Sequence, residues 1–329
     1  MEHTPLVSVV INAYNAAPYF AECLDSLLAQ TLQEFEIIIV DDASTDRTPE
    51  IAREYARRDP RIRLERNERN RGIPATINRA LALSRGEFVG KMDADDVSLP
   101  QRLERQVAFL RANPRVVMAG SWWVRIDMAG RELGAQRPWP SNERLARQML
   151  TRCVLMHTGV MYRGDLVRRI RYREFFRYAQ DYDLFLRMAD EGEIAIMPEV
   201  LVKQRLNYEG VTVQRFHEQA QYARYARTFA RQRLARGTDD YERVAADPQA
   251  IKPYVSSRAS LGFYHYRRGL LRVTLSNMRA ARAEFWKSLR AVPWDVRVAA
   301  WLALTLVPRP LVEALRRLMW RLRWGPRPE

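Results

Sequence analysis

Cysteine is scarce: Cys23 and Cys153 are the only two in 329 residues, too few for a disulfide framework and in keeping with a reducing compartment. Cys23 falls in an apolar helical stretch, Phe20 to Leu28, where a small thiol packs well as a buried hydrophobe. Long hydrophobic runs are absent too, since the longest, Val298 to Val307, falls well short of the roughly 20 residues that span a bilayer. The amino terminus, Met1-Glu2-His3-Thr4-Pro5, lacks the basic and apolar regions of a secretory signal, so the expected location is the cytoplasm. No glycine occurs in Asn12-Ala13-Tyr14-Asn15, after the first apolar run, which removes the G-x-G-x-x-G of a dinucleotide-binding dehydrogenase. The segment Gly86-Glu87-Phe88-Val89-Gly90-Lys91-Met92 is one residue short of a phosphate-binding P-loop and ends in Met where Ser or Thr is needed.

What is present is an ordinary globular composition, 47% hydrophobic and 28% charged, with charge unevenly placed. Residues 215–329 hold 23 basic against 9 acidic side chains, a net of about +14, while residues 1–214 are close to neutral. A basic tail points to an anionic partner, a membrane surface or nucleic acid, or else is simply a solvated, Arg-rich surface. Two regions are expected: a domain over 1–214 and a basic helical region over 215–329.

The first region alternates short apolar runs with helical patterns, which predicts an α/β fold with a mostly parallel sheet flanked by helices. Strands are expected at Val7–Ile11, Glu36–Val40, Ile62–Leu64 and Glu87–Met92, with helices from Ala21 to Gln30, from Thr48-Pro49 onward and from Pro74 to Leu83. Gly86 reads as a left-handed cap after the third helix, and Ser98-x-x-Gln101 as a capping box that opens a helix carrying Leu103, Val107 and Leu110. Beyond it come a strand at Val116–Gly120, a turn at Asp127-Met128-Ala129-Gly130, and a 151–205 stretch with one helix, Tyr182 to Glu191. Asn12 to Asn15, Asp41-Asp42 and Asp93 to Asp96 all follow strand ends, where open α/β sheets bind ligands, so three loops should converge on one crevice.

Lys91-Met92-Asp93-Ala94-Asp95-Asp96 places three carboxylates at such a strand end. A cluster of this kind, with room for water and phosphate oxygens, is the usual way Mg²⁺ or Mn²⁺ is held in nucleotide chemistry. A second acidic strand end, Ile39-Val40-Asp41-Asp42-Ala43-Ser44-Thr45-Asp46, and a later pair in Gln180-Asp181-Tyr182-Asp183 complete a constellation suited to group transfer from a nucleotide-activated donor. Together with Val7-Ser8-Val9-Val10-Ile11-Asn12-Ala13-Tyr14-Asn15 and Leu184-Phe185-Leu186-Arg187, these four ordered motifs resemble a family 2 glycosyltransferase of GT-A fold over residues 5 to about 212.

That resemblance implies an inverting transferase that uses a nucleotide-diphosphate sugar, a UDP-sugar first, with Mn²⁺ or Mg²⁺. Asn12 and Tyr14 match positions that touch the nucleoside, Asp42 the carboxylate that reads the base, and Arg71 with Gly72 the loop approaching the ribose and diphosphate. Asp93 and Asp95 match the D-x-D, with Asp95 toward the metal and Asp93 nearer the ribose. Asp181 matches the catalytic base, Asp183 being the next candidate, and His157 matches a position beside the acceptor or is a hydrogen-bonded buried imidazole. Three positions depart from the pattern: Asn12 stands for proline or threonine, Gln180 for an acidic residue that would raise the pKa of its neighbour, and Asn207 for a histidine near the metal.

The implied acceptor is a glycan or lipid-linked hydroxyl in cell-surface polysaccharide or glycolipid synthesis. The rival reading from the residues is a non-catalytic basic binding protein on a degenerate transferase fold. In the tail, Gly269, Ala281, Phe285 and Pro293 match a single tetratricopeptide-like helix pair. After Pro308 and Pro310, the residues Leu311, Val312, Leu315, Leu318, Met319 and Leu322 form one apolar stripe near Trp320 and Trp324, as in an interfacial helix, although the stripe could also pack on the tail itself. No nucleic-acid motif accompanies the charge, so peripheral attachment to the anionic inner face of the membrane is expected, each surface Arg contributing about 1 kcal/mol. Flotation with anionic vesicles should therefore be salt-sensitive for the full chain and weaker for a chain ending at Val307; equal flotation, or none by either, rejects this role for the terminal helix.

Overall fold

The computed structural model describes residues 4–138, 142–206, 215–247, 258–274 and 277–306. They divide into two compact units, Met1–Ile251 and Lys252–Glu329. In the first, β1 (Val7–Ala13) pairs in parallel with β2 (Phe35–Asp41) on one side and β4 (Phe88–Asp93) on the other, and β3 (Ile62–Arg66) extends the sheet beyond β2. Helices α1 (Ala17–Leu28), α2 (Thr48–Arg58) and α3 (Ile73–Leu83) connect these strands. There follow β5 (Val97–Ser98), α4 (Arg102–Ala112), β6 (Val116–Ile126), β7 (Glu132–Gln136), α5 (Asn142–Met149), β8 (Met161–Arg163), α6 (Gly164–Ile170), α7 (Gln180–Ala189) and β9 (Glu193–Arg205). The sheet runs β3-β2-β1-β4-β8-β6-β9-β5, with β7 on β6; β8 is antiparallel to both of its neighbours, and β9 is parallel to β6.

Both faces of the sheet are covered, which is why its strands read as continuous apolar runs. Val7, Val9 and Ile11 join a core with Phe20, Leu24 and Leu27 of α1 and Leu103, Val107 and Leu110 of α4. Val10, Ile38 and Val40 point the other way, to Ile77 and Leu81 of α3 and Leu184 and Phe185 of α7. The chain leaves β3 at the edge and re-enters the sheet as β4, on the far side of β1. The connections therefore diverge above β1 and β4 and leave a crevice at their carboxyl ends.

Four features differ from the sequence reading. The first unit runs beyond residue 214 because α8 (Phe216–Arg236) buries Ala226, Phe229 and Ala230 in the α3/α7 core, and α9 (Tyr241–Ala246) follows it; charge density marked a change of surface there, not a change of packing. The 151–205 stretch holds two helices, α6 and α7. The capping box does not form: Ser98 belongs to β5, and the start of α4 is met by Gln30, whose Oε1 accepts from Leu103 N at 3.0 Å while its Nε2 donates to Ser98 Oγ at 3.0 Å. Gly86 is not left-handed either, since α3 ends on extended Ser84. Glycine is required at 86 by close approach: a Cβ there would stand 2.5 Å from Ser8 N and 2.7 Å from Phe88 O.

The second unit contains α10 (Arg258–Thr274), α11 (Met278–Ala291) and α12 (Val296–Leu304), around Val273, Ala281, Phe285 and Val298. Gly269 admits the Phe285 ring, which an added Cβ would approach to 2.3 Å, so the small and aromatic positions singled out in the sequence do meet. Asn277 caps α11 by accepting from Ala280 N at 3.0 Å, and Asp295 caps α12 by accepting from Arg297 N at 3.1 Å. The terminal stripe from Leu311 to Leu322, with Trp320 and Trp324, lies outside the described residues, as does Asn207. No described helix is long and apolar enough to cross a membrane.

Because the atoms nearest a Gly86 side chain are backbone, they cannot rotate away. Gly86→Ala is expected to destabilise the first unit by about 1–3 kcal/mol, read as a lower urea midpoint at unchanged slope. An unchanged midpoint would remove close approach as the reason for glycine.

Candidate functional site

Register brings the first pieces together: Asn12 lies opposite Asp93 across β1 and β4, and Ala13 opposite Asp41 across β1 and β2. Asn12 Oδ1 is buried there with no hydrogen-bond partner among the described residues. Tyr14, 51% exposed, stands at the mouth of the same loop. Asn15 (φ 50°) and Ala43 (φ 60°) both turn left-handed, and the two loops are tied where Asn15 N donates to Ser44 Oγ at 3.0 Å and Thr45 N to Asn15 Oδ1 at 2.9 Å.

Asp42 is buried, and its carboxylate is occupied by the protein. It accepts from Asn67 Nδ2 at 2.7 Å, Arg71 N at 2.8 Å and Gly72 N at 2.9 Å, and so shapes the loop leading into α3. Any contact with a base uses the lone pairs these donors leave. Arg71 is held by its backbone while its side chain, with Arg66, Asn67, Glu68, Arg69 and Arg79, lines a basic cleft of about 380 Å³.

The three carboxylates of Asp93, Asp95 and Asp96 have different fates. Lys91, fully buried two residues before Asp93 on the same face of β4, donates to Asp93 Oδ1 at 2.6 Å and to Met92 O at 2.5 Å. Burial opposes ionisation of Asp93, but the Lys91 ammonium outweighs it and holds the group below the usual carboxylate range. Burial and the Asp93 charge push Asp95 up to about 6. Asp96, raised by burial and by both neighbours, turns inward and accepts from Arg205 N at 2.7 Å. Arg205, at the end of β9, also donates through Nε to the Asp95 carbonyl at 3.0 Å and through Nη1 to the Asp127 carbonyl at 3.1 Å, pairs with Glu22 of α1, and lies over the Tyr19 ring.

His157 sits between the two sides of the site, with Nδ1 3.8 Å from Asp93 Oδ1 and Nε2 2.9 Å from the Tyr172 hydroxyl. Burial lowers its pKa despite Asp93, giving a neutral imidazole held by the protein. Tyr172 is fixed by Asn78, which donates to its carbonyl at 2.8 Å and accepts from its N at 2.9 Å. Asp181, in the first turn of α7, acts electrostatically on His157, Tyr172 and Cys153, and its carboxylate has no hydrogen bond or ion pair among the described residues. Asp183 is excluded as an alternative base: it is fully buried, accepts from Arg187 Nε at 2.9 Å, and pairs with Arg173 at 3.5 Å.

Sequence reasoning missed Lys91, Tyr172 and Arg205. A lysine inside an otherwise apolar strand was a visible signal; Arg205 gave none, because its partners are remote in sequence. Among the described residues no three His, Cys, Asp or Glu side chains cluster to cage a metal. Two part-exposed carboxylates, Asp93 and Asp95, nevertheless suit Mg²⁺ or Mn²⁺, which take remaining ligands from water and substrate phosphates.

The sheet switches at β1 and β4 above an acidic β4 end, as in open α/β sheets that bind ligands at their carboxyl edge, and comparison with known proteins defines the class. The family model described as glycosyl transferase family 2 matches residues 8–171. An uncharacterized glycosyltransferase of Methanocaldococcus jannaschii is 32% identical over 67% of this chain and 78% of its own. The chain belongs to glycosyltransferase family 2. The amylovoran biosynthesis glycosyltransferase AmsE of Erwinia amylovora is 30% identical over 64% of this chain and 80% of its own. Among solved structures, Staphylococcus aureus TarS 1-349 with UDP-GlcNAc superposes with TM-score 0.57 at 22% identity, covering 94% of this chain and 87% of that one. PcManGT of Pyrobaculum calidifontis, a mannosyltransferase in complex with GDP-Man and Mn²⁺, gives 0.57 at 21% identity over 96% and 88%. The fold is that of GT-A glycosyltransferases.

Asp95 lies near Asp93, and burial and that charge raise its pKa to about 6, above the ordinary carboxylate range. At pH 7.5 without metal it is ionised and destabilising; as pH falls through about 6 it takes a proton and the penalty fades. Asp95→Asn should therefore raise stability in EDTA at pH 7.5 by on the order of 1 kcal/mol, with the gain shrinking at pH 5. Denaturant melts at the two pH values check this, and a gain that grows toward acid would contradict it.

Proposed function

We propose that this glycosyltransferase moves a sugar from a nucleoside diphosphate donor, a UDP-sugar first, to an acceptor hydroxyl of a glycan or lipid-linked saccharide, with inversion at the anomeric carbon. The observation that carries this is Asp181: a carboxylate on α7 with no hydrogen bond or ion pair among the described residues, acting electrostatically on the same His157 that lies 3.8 Å from Asp93. Donor chemistry is supported by neighbours solved with UDP, UDP-GlcNAc and GDP-Man, and a polysaccharide setting by the names of AmsE and of the chondroitin synthase of Escherichia coli.

In this reading Asn12 Oδ1 and Tyr14 meet the nucleoside, Asp42 and the Arg71 loop bound the base, and Asp93 faces the ribose. Asp95 would hold Mg²⁺ or Mn²⁺, which would supply Lewis-acid stabilisation of the departing diphosphate; the neighbour PcManGT was solved with GDP-Man and Mn²⁺. Asp181 takes the proton from the acceptor hydroxyl as that oxygen attacks the anomeric carbon from the face opposite the diphosphate. A positioned base contributes typically about 10² to 10⁴ in rate. His157, held neutral between Asp93 and Tyr172, forms the wall between donor and acceptor sides. The basic tail would carry the enzyme to an anionic membrane surface where a lipid-linked acceptor resides.

Asp181→Asn keeps the shape but accepts no proton, so kcat should fall by at least about 10² while calorimetric nucleotide affinity stays within a few-fold. Asp95→Ala should instead weaken nucleotide binding in Mn²⁺ along with transfer. Turnover preserved in Asp181→Asn, with nucleotide affinity lost, would move the base elsewhere.

A further inference from the structure

We infer that Lys91 is a positioning residue that keeps the nucleotide-free acidic loop from holding a divalent cation, so that the cation enters together with the diphosphate of the donor. This rests on the donor reading above, but the residue and its consequence are separate from it.

Lys91 is 0% exposed in the middle of an otherwise apolar strand, an expensive place for an ammonium, and its Nζ lies 2.6 Å from Asp93 Oδ1. Residues 91 and 93 point to the same face of β4, so no rotation of the strand separates them. The pair is further enclosed by the His157 ring, 3.8 Å from the same oxygen. Asp93 thus offers an incoming cation a carboxylate with one oxygen already donated to and its charge largely balanced.

The neighbouring carboxylates do not make up the loss. Asp96 is buried and committed to Arg205 N, and the Arg205 guanidinium reaches the Asp95 carbonyl at 3.0 Å, placing a second cation beside the loop. Lys91, with Arg205 shared between the loop and Glu22, therefore stands against three carboxylates, and no third ligand of metal-binding type clusters with Asp93 and Asp95 among the described residues. A hard cation needs more oxygen and more negative charge than this remainder gives, and a nucleoside diphosphate brings both. By reciprocity, the factor by which nucleotide tightens the cation equals the factor by which the cation tightens nucleotide. A purely structural lysine would leave that factor unchanged when replaced.

The test measures Mn²⁺ binding to the full chain by the electron paramagnetic resonance of the free ion, with and without UDP, GDP or dTDP. Wild type is expected to bind Mn²⁺ at least about tenfold more tightly when nucleotide is present. Lys91→Met, close in shape and uncharged, should bind Mn²⁺ at least about tenfold more tightly than wild type without nucleotide, and show a smaller coupling factor. Lys91→Arg, which keeps the cation, should behave as wild type. A folded Lys91→Met that binds Mn²⁺ no better than wild type overturns the inference. So does wild type binding the ion equally with and without nucleotide, a result independent of whether Lys91→Met folds. Either outcome leaves the donor site standing if nucleotide still binds; no binding of any of the three nucleotides, with or without Mn²⁺, overturns both readings.

Discussion

Mutual repulsion among Asp93, Asp95 and Asp96 is the constraint on which the site depends. Three carboxylates within four residues, in a loop mostly shielded from water, would spring the end of β4 open unless cations were supplied from inside the fold. Lys91 supplies one along the strand itself. Arg205 supplies the other from the end of β9, and in doing so ties the loop to Glu22 of α1 and to the turn after β6. The directions of the shifts record how unequal the settlement is: Asp93 is held low, while Asp95 and Asp96 are raised. What remains at Asp95 is an incompletely balanced charge facing the crevice, which is what a cation-bridged diphosphate can use.

The backbone around the crevice is held in costly conformations. Four non-glycine residues have positive φ among the described residues, and each adjoins a residue of the candidate site: Asn15 beside Tyr14, Ala43 after Asp42, Arg171 before Tyr172, and Ala179 at the cap of α7 ahead of Asp181. Such residues cost on the order of 1–3 kcal/mol each and persist only where surrounding contacts over-determine them. Here the determining contacts are visible: Ser44 and Thr45 on Asn15, Asn67 and the Arg71-Gly72 amides on Asp42, and the reciprocal Asn78–Tyr172 pair. Rigidity of this kind holds the candidate site residues in fixed positions relative to one another.

Membership of the family fixes the class of reaction, while the departures from its pattern bear on how this chain performs it. Gln180 is buried beside Asp181, a neutral side chain in the core where the family resemblance implies an acid. Asp181 is thereby spared a like-charged neighbour at close range. His157, hydrogen-bonded to the Tyr172 hydroxyl at 2.9 Å and 3.8 Å from Asp93 Oδ1, links the packing around Tyr172 to the end of β4.

The sequence by itself determined the alternating α/β pattern, the strand ends that carry Asn12, Asp42 and Asp93, and the small-to-aromatic contact of Gly269 with Phe285. These depend on local periodicity and on the properties of single residues, which the order of amino acids states directly. Only the tertiary structure decided that α8 belongs with the catalytic unit, that Gln30 rather than Ser98 meets the start of α4, that Asp183 is locked by Arg187 and Arg173, and that Arg205 supports Asp95 from 110 positions away. The reason is physical: a buried charge or an unpaired amide is satisfied by whatever the fold brings within about 3 Å, and that partner need not be near in sequence.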